Sequence, residues 1–295
     1  MQRSWSYLCT LLLALTLSAC APQAERIASA SALRPAADWA FETSDIPVEP
    51  GFRFGKLPNG MRYVIRRNGR PKGTAIVRME VAAGSLDEAQ DERGFAHFVE
   101  HMAFNGSTHV REGEMVRLLE RHGLAFGADT NASTSFEQTI YALDLPRNDP
   151  QLLDIALMLM RETAGELTFD PQAVDRERGV ILAELRDRNS WSFRNGVADS
   201  KFLHPRALYP ERFAIGVPET LAAATAAGLK DFYLREYVPA HTTMIVIGDF
   251  DPARVEKAIA ERFASWQAAP AEPQPAAGPV APKDRGRAAV YLDPA

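Results

Sequence analysis

Gly94-Phe95-Ala96-His97-Phe98-Val99-Glu100-His101-Met102-Ala103-Phe104 is the stretch on which the reading of this 295-residue chain turns. On a helix, His97 and His101 stand four residues apart, so both imidazoles project from one face. Two neutral imidazoles at that spacing can grip one zinc ion, because the helix fixes their separation before the metal arrives. Glu100, one residue before the second histidine, brings a carboxylate to the same side, where it can take a proton from a water at the metal. The neighbours are apolar (Phe95, Ala96, Phe98, Val99, Met102, Phe104), so three costly polar groups would be half buried. A fold seldom accepts that cost unless the groups share a cation.

The pattern H-x-x-E-H is the inverted zinc-peptidase signature. Taken alone it also fits a surface helix with two solvated histidines. It sits within a longer pattern. Gly84-Ser85-Leu86-Asp87-Glu88 precedes it, Asn105-Gly106-Ser107 follows it, and a later segment reads Glu177-Arg178-Gly179-Val180-Ile181-Leu182-Ala183-Glu184. Together these resemble the pitrilysin family of metallopeptidases, which includes insulin-degrading enzyme and the mitochondrial processing peptidases. The resemblance runs from about residue 52 to residue 266.

Glu177 and Glu184 fall on a helix predicted over 171–189, opened by Asp170 as N-cap and Pro171 at the first position. Seven residues apart, they share a face, two turns from each other. One can complete a zinc shell while the other supports it by hydrogen bonding. Spacing does not say which does which. The resemblance implies that Glu184 is the third ligand and Glu177 the supporting, activity-linked carboxylate. A plain salt bridge from Glu177 to Arg176, Arg178 or a neighbouring helix is the competing reading.

Phe126-Gly127-Ala128-Asp129-Thr130-Asn131-Ala132-Ser133-Thr134-Ser135-Phe136 is small and polar, and Thr139-Ile140-Tyr141-Ala142-Leu143 follows. That suggests an edge strand entering a sheet, the alternative being an ordinary turn and strand. The resemblance implies that the strand at Asn131 and Ala132 lies beside the zinc and pairs with the substrate backbone. Affinity then comes from main-chain hydrogen bonds.

The remaining elements fall into an α+β order, which the resemblance implies is a mostly antiparallel sheet backed by helices. Strands are predicted at 54–56 and 62–67, joined through Leu57-Pro58-Asn59-Gly60, since Asn-Gly is a hairpin signal. Further strands are predicted at 74–83 and 241–248. Helices are predicted over 112–121, 150–166, 191–203, 218–226, 229–237 and 252–263. The apolar middle of 150–166 calls for burial against the sheet. His109, His122, His204 and His241 lack partners at ligand spacing and read as surface or loop histidines.

Composition sets the outer bounds. With 46% hydrophobic and 24% charged residues, the chain can bury the core of one large domain or two small ones. A formal charge of −5 leaves no basic footprint for nucleic acid. The only cysteines are Cys9 and Cys20, so the body carries no disulfide framework and no Cys-type metal site.

Residues 1–20 read as an export signal: Arg3 is the positive end, and the apolar run over 8–17 is too short to span a bilayer. Leu17-Ser18-Ala19-Cys20 resembles a bacterial lipobox, which implies that Cys20 is lipidated and anchors the protein to a membrane. Ala21 in place of an aspartate favours the outer membrane, facing the periplasm. An ordinary secretory signal cleaved near Ala19 or Ala21 is the alternative. Residues 21–50, rich in Ala, Pro and Ser, read as a flexible tether. A zinc peptidase domain is expected over 51–267, an Ala/Pro-rich linker over 268–287, and the start of a second domain at 288–295, where 288–294 read as a strand just beginning.

The function expected is zinc-dependent endopeptidase action on peptides or unfolded polypeptides. One Zn2+ per chain is held by His97, His101 and Glu184, with Glu100 as general base. Two other classes compete: a non-catalytic peptide-binding or partner subunit, and a lipid-anchored scaffold with an incidental metal site. Pitrilysin-type enzymes enclose substrate between two related halves, and the second half contributes an arginine and a tyrosine near the zinc. No segment here resembles that half. The resemblance therefore implies a second-half domain or homologous subunit as partner, without which the chain binds zinc but cleaves poorly.

Overall fold

Ala75-Ile76-Val77-Arg78-Met79-Glu80-Val81 alternates fully buried and half-buried residues, the period-2 pattern of a strand with one face on the core. This strand, β3 (Ala75–Val81), lies near the middle of a six-stranded sheet. The others are β1 (Phe52–Lys56), β2 (Arg62–Arg67), β4 (Thr130–Thr134), β5 (Thr139–Leu145) and β6 (Thr242–Gly248), and the spatial order is β1-β2-β6-β3-β5-β4. Every neighbouring pair is antiparallel except β2 and β6, which run parallel. Strand β6 comes late in the chain yet inserts between β2 and β3. Its register sets Val246 against Val77 and Met244 against Met79, and β5 adds Leu143 and Tyr141 to the same rows. All six of these side chains are buried.

The computed structural model describes residues 39–293, save 126, 148, 269, 271–276, 279–285 and 287. The predicted export signal with Cys20, the first part of the tether and most of the linker lie outside the described residues. The chain divides into two units, Met1–Glu49 and Pro50–Ala295. In the first, residues 39–49 hold a single short 3-10 turn at Ala40–Thr43, with the Trp39 and Phe41 rings stacked at 6.2 Å. The second holds the sheet and its helices.

Those helices are α1 (Phe95–Met102), α2 (Glu114–Arg121), α3 (Pro150–Gly165), α4 (Pro171–Arg188), α5 (Trp191–Leu203), α6 (Pro218–Ala223), α7 (Ala226–Glu236) and α8 (Pro252–Phe263). Three start with the same device, an Asp-Pro pair in which proline takes the first helical position. The aspartate accepts backbone N–H groups: Asp149 from Leu152, Asp170 from Gln172 and Ala173, and Asp251 from Ala253. Helix α3 packs on β3 and β5, α8 packs on β2 and α3, and α1 packs on β4, β5, α4 and α7. Among the described residues no helix is long and apolar enough to cross a membrane.

Three local expectations differ from the structure. The helix predicted from residue 112 starts at Glu114, because Gly113 adopts a left-handed φ of 71° and serves as N-cap. The helix predicted over 218–226 stops at Ala223, because the Thr225 side chain accepts the Gly228 N–H and starts α7. Residues 288–293, expected as a strand, form neither strand nor helix, and no described strand pairs with them. Instead Arg194 of α5 holds Asp293 through two hydrogen bonds of 2.6 and 2.7 Å, while Val290 and Leu292 stay exposed.

Candidate metal centre

The centre is built from α1, α4 and the edge strand β4. Helix α1 is started by Gly94, whose φ of 99° suits glycine. A Cβ there would meet Leu221 Cδ2 at 2.8 Å and Gly216 Cα at 3.0 Å, and one on Gly216 would meet Gly94 Cα at 2.7 Å. The loop before α1 and the loop ending at Gly216 therefore cross backbone on backbone. Glu88, 4% exposed, accepts the Ala96 N–H at 2.9 Å and so ties the first turn of α1. Burial pushes the Glu88 carboxyl up to about 8, against the Ala96 and Gly94 hydrogen bonds that lower it.

On the inner face of α1 the two imidazoles meet. His97 Nε2 and His101 Nε2 are 3.2 Å apart, and the rings lie edge to face. Glu184 on α4 closes the group, Oε2 standing 3.8 Å from His97 Nε2 and Oε1 3.6 Å from His101 Nε2. Among the described residues, this is the one set of three or more His, Cys, Asp or Glu side chains arranged to hold a metal ion. The separations suit zinc, whose bonds of about 2.0–2.1 Å to nitrogen and oxygen place tetrahedral ligand atoms ~3.3 Å apart. His97 is buried and its Nδ1 has no hydrogen-bond partner among the described residues. Burial first, then the charges of His101 and Arg188, hold its pKa down to about 3. A neutral imidazole is what a metal needs.

Glu177 lies against His101 and not against the arginines beside it on α4. Its Oε1 lies 2.6 Å from His101 Nδ1, whereas Arg176 bonds Glu112 and Arg178 bonds Asp175 and the Ala224 carbonyl. A carboxylate at that distance accepts a hydrogen bond from the Nδ1–H and so favours the tautomer whose Nε2 lone pair faces His97 and Glu184. Burial acts to lower the His101 pKa, but the Glu177 hydrogen bond and charge, with Glu184 and Glu100 behind, outweigh it and leave it raised. Asn105 joins the same chain, its Nδ2 donating to Glu177 Oε2 at 3.2 Å and to the His101 carbonyl at 2.9 Å.

Glu100 is 8% exposed, and its Oε2 accepts the Thr134 hydroxyl at 2.5 Å. Among the described residues its Oε1 has no hydrogen-bond partner. Burial raises its pKa, and the Thr134 bond and His101 oppose the shift.

Strand β4 carries Asn131 and Ala132, and both line the cleft that contains His97, Glu100, His101 and Glu184. The cleft encloses about 600 Å³. In antiparallel pairing, main-chain groups face the partner strand at every second residue. Ser135 N–H bonds Gln138 and Asp144 N–H bonds Asp129, which sets odd-numbered residues toward β5. Asn131 therefore spends its main chain on β5, while Ala132 and Thr134 turn theirs to the open edge. The Ala132 N–H is covered by Asn131 Oδ1 at 2.9 Å, a bond that an incoming strand must replace.

Sequence reasoning did not find Thr134, Asn105 or Glu88. Asn105 left a trace, since it stands four residues past His101 on the same helical face. Thr134 and Glu88 fall in stretches marked in the sequence but carry no role there, because their partners depend on how β4 and the loop before α1 pack on that helix. His109 is an exposed loop histidine, as the sequence indicates, with a structural partner. His109 Nδ1 lies 2.8 Å from the buried Glu162, which also accepts the Ser107 hydroxyl at 2.6 Å, and this cluster fixes the loop after α1.

Residues 63–200, which include His97, Glu100, His101, Glu177 and Glu184, match the Insulinase (Peptidase family M16) profile. Residues 223–294 match the Peptidase M16 inactive domain. The probable zinc protease PqqL of Haemophilus influenzae is 37% identical over 220 residues, covering 75% of this chain and 24% of that protein. PqqL of Escherichia coli is 37% identical over 206 residues, covering 70% of this chain and 22% of that protein. A crystal structure of the first half of the periplasmic protease PqqL from E. coli superposes with a TM-score of 0.73 at 35% identity, covering 78% of this chain and 50% of that chain. The chain spans about a quarter of the length of the curated relatives it matches.

Proposed function

Because this chain belongs to peptidase family M16, the insulinase or pitrilysin family, we propose that it acts as a zinc-dependent endopeptidase on peptides or unfolded polypeptides. One observation carries the proposal: three metal-binding side chains converge in a cleft that also holds a buried, hydrogen-bonded glutamate. His97, His101 and Glu184 hold the ion, one per chain. When bound, zinc supplies Lewis acidity that makes a water more acidic and a carbonyl more electrophilic.

The side chains do the rest. Thr134 holds one oxygen of Glu100, so the other is left to take a proton from the attacking water. As oxygen adds to the scissile carbonyl and the C–N bond breaks, Glu100 passes that proton to the leaving amine. Glu177 keeps His101 in the tautomer whose Nε2 lone pair is free, and Asn105 holds Glu177. The open edge at Ala132 and Thr134 receives the substrate backbone as an added strand, with Asn131 releasing the Ala132 N–H. A second-half peptidase domain or homologous subunit completes the enclosure and supplies further charge stabilisation at the carbonyl oxygen.

Residues 51–267 form the peptidase domain of this proposal, and the address is the bacterial cell envelope. The solved relative from E. coli is a periplasmic protease, and the lipobox-like Leu17-Ser18-Ala19-Cys20 supports a lipid anchor at Cys20. Fatty-acid labelling of the wild type, absent from Cys20→Ser, tests the anchor; equal labelling of both removes it.

The match of residues 223–294 to an M16 domain described as inactive favours one alternative, a non-catalytic peptide-binding or partner subunit. A zinc titration with a peptide-cleavage assay separates the two. The endopeptidase reading expects turnover that rises with zinc when a second-half polypeptide is supplied. The alternative expects zinc and peptide binding with none.

A further inference from the structure

The geometry points to Arg188 as a carboxylate-recognition residue of this cleft, selecting peptides that carry a carboxylate near the bond cleaved. The inference rests on the endopeptidase reading and adds a substrate class to it.

Four carboxylates line the cleft, those of Glu100, Glu112, Glu177 and Glu184. Arg188 is the one permanently cationic side chain among the described residues lining it. The nearby arginines are committed elsewhere: Arg176 grips Glu112 at 2.6 and 2.7 Å, and Arg178 bonds Asp175 and the Ala224 carbonyl, each at 2.6 Å. Arg188 is not. Its nearest carboxylate is Glu184, with Nη2 to Oε2 at 3.8 Å, beyond hydrogen-bond reach. Among the described residues its guanidinium donates no hydrogen bond. Its side chain is 58% exposed, and its charge acts on both His97 and Glu100.

A guanidinium with five unused donors is built for planar recognition of a carboxylate. Its bland role would be an i,i+4 pair with Glu184 at the C-terminal end of α4, worth little at such exposure. With Glu184 committed to a cation, even that pairing weakens and the donors face the cleft. Arg188 stands one turn past Glu184, ~6 Å along the helix axis. An extended peptide advances about 3.3 Å per residue. Within that span the guanidinium can meet a carboxylate on a peptide chain held at the metal. That group is either an Asp or Glu side chain or the terminal carboxylate of a short peptide.

The test measures binding to the zinc-loaded chain carrying Glu100→Gln, with a second-half polypeptide supplied, so that turnover does not intervene. Fluorescent, unstructured peptides of one length carry a central Glu, Gln or Lys and an amidated C-terminus, and a fourth has the Gln centre with a free C-terminus. Anisotropy gives their affinities for the Arg188, Arg188→Gln and Arg188→Glu forms, with circular dichroism and zinc content matched. The Glu peptide should bind the Arg188 form about three- to tenfold tighter than the Lys peptide, a preference that shrinks with added salt. Arg188→Gln should erase it and Arg188→Glu should reverse it. A gain for the free C-terminus alone would assign the recognition to a terminal carboxylate and keep the inference. An unchanged order of affinities in Arg188→Gln would overturn it, with the endopeptidase reading intact. Failure of every peptide to bind any zinc-loaded form would remove that reading and the inference together.

Discussion

Thr134 donates its hydroxyl to Glu100 across 2.5 Å, and this bond joins the edge strand of the sheet to the helix that carries both histidines. Thr134 also turns its main chain to the open edge. A substrate strand docking on β4 thus touches a residue that already orients the proposed general base. Thr134→Val keeps the shape and removes the donor, so kcat should fall roughly tenfold to a hundredfold, as for loss of a bond to a charged group. KM and zinc content should barely change, and Thr134→Ser should restore most of kcat. Steady-state kinetics on the three forms decide it.

Glu177 and Asn105 act on the metal through His101. Glu177→Gln keeps an acceptor but gives up its charge, and zinc affinity should drop about 10- to 100-fold. Asn105→Ala should produce a smaller loss in the same direction, because it frees Glu177 Oε2 without removing the carboxylate. Competition against a chelator of known affinity measures both. Unchanged zinc affinity in Glu177→Gln would make that carboxylate a plain partner of the helix.

Gly94 and Gly216 cross with no room between them. Gly94→Ala forces a residue with a Cβ to a φ of 99° and sets that carbon 3.0 Å from Gly216 Cα. Stability should fall by about 2 kcal/mol or more. Val180→Ala, on the exposed part of α4, should stay within ~0.5 kcal/mol and serves as the control. Urea midpoints give the comparison.

Glu88 makes stability depend on pH. Its carboxyl titrates near 8 in the fold against about 4.5 unfolded, so between those values the native state holds a proton that the unfolded chain has lost. Stability must then fall as pH rises through that window, by up to ~1.4 kcal/mol per unit, and level off above it. Glu88→Gln should remove this component. Urea melts of both forms in chelator at pH 5.5, 6.5, 7.5 and 8.5 isolate it, because every other titration is common to the two. Parallel curves would contradict the assignment.

How much of this was legible depends on where each partner lies in the chain. His97, Glu100 and His101 share one helical turn, so their juxtaposition followed from spacing alone. Asp170-Pro171 announced a helix start for the same local reason, while the caps at Asp149 and Asp251 came only with the structure. Glu184 was placed by resemblance, since nothing in its own segment says that α4 packs on α1. The parallel pairing of β2 with β6 was not readable, because it depends on residues roughly 180 positions apart finding one register. Asn131 and Ala132 were marked as a pair, yet the pleat divides them, giving the edge to Ala132. That division follows from the hairpin between Thr134 and Thr139, whose register no single residue specifies.

The account stands most directly on Glu100. The measurement is turnover of an unstructured peptide by the zinc-loaded chain, with a second-half polypeptide supplied, for wild type and Glu100→Gln at equal zinc content. Wild type should cleave, and Glu100→Gln should bind zinc as tightly while losing about 10²- to 10⁴-fold in kcat. Equal turnover by the two forms would contradict the account.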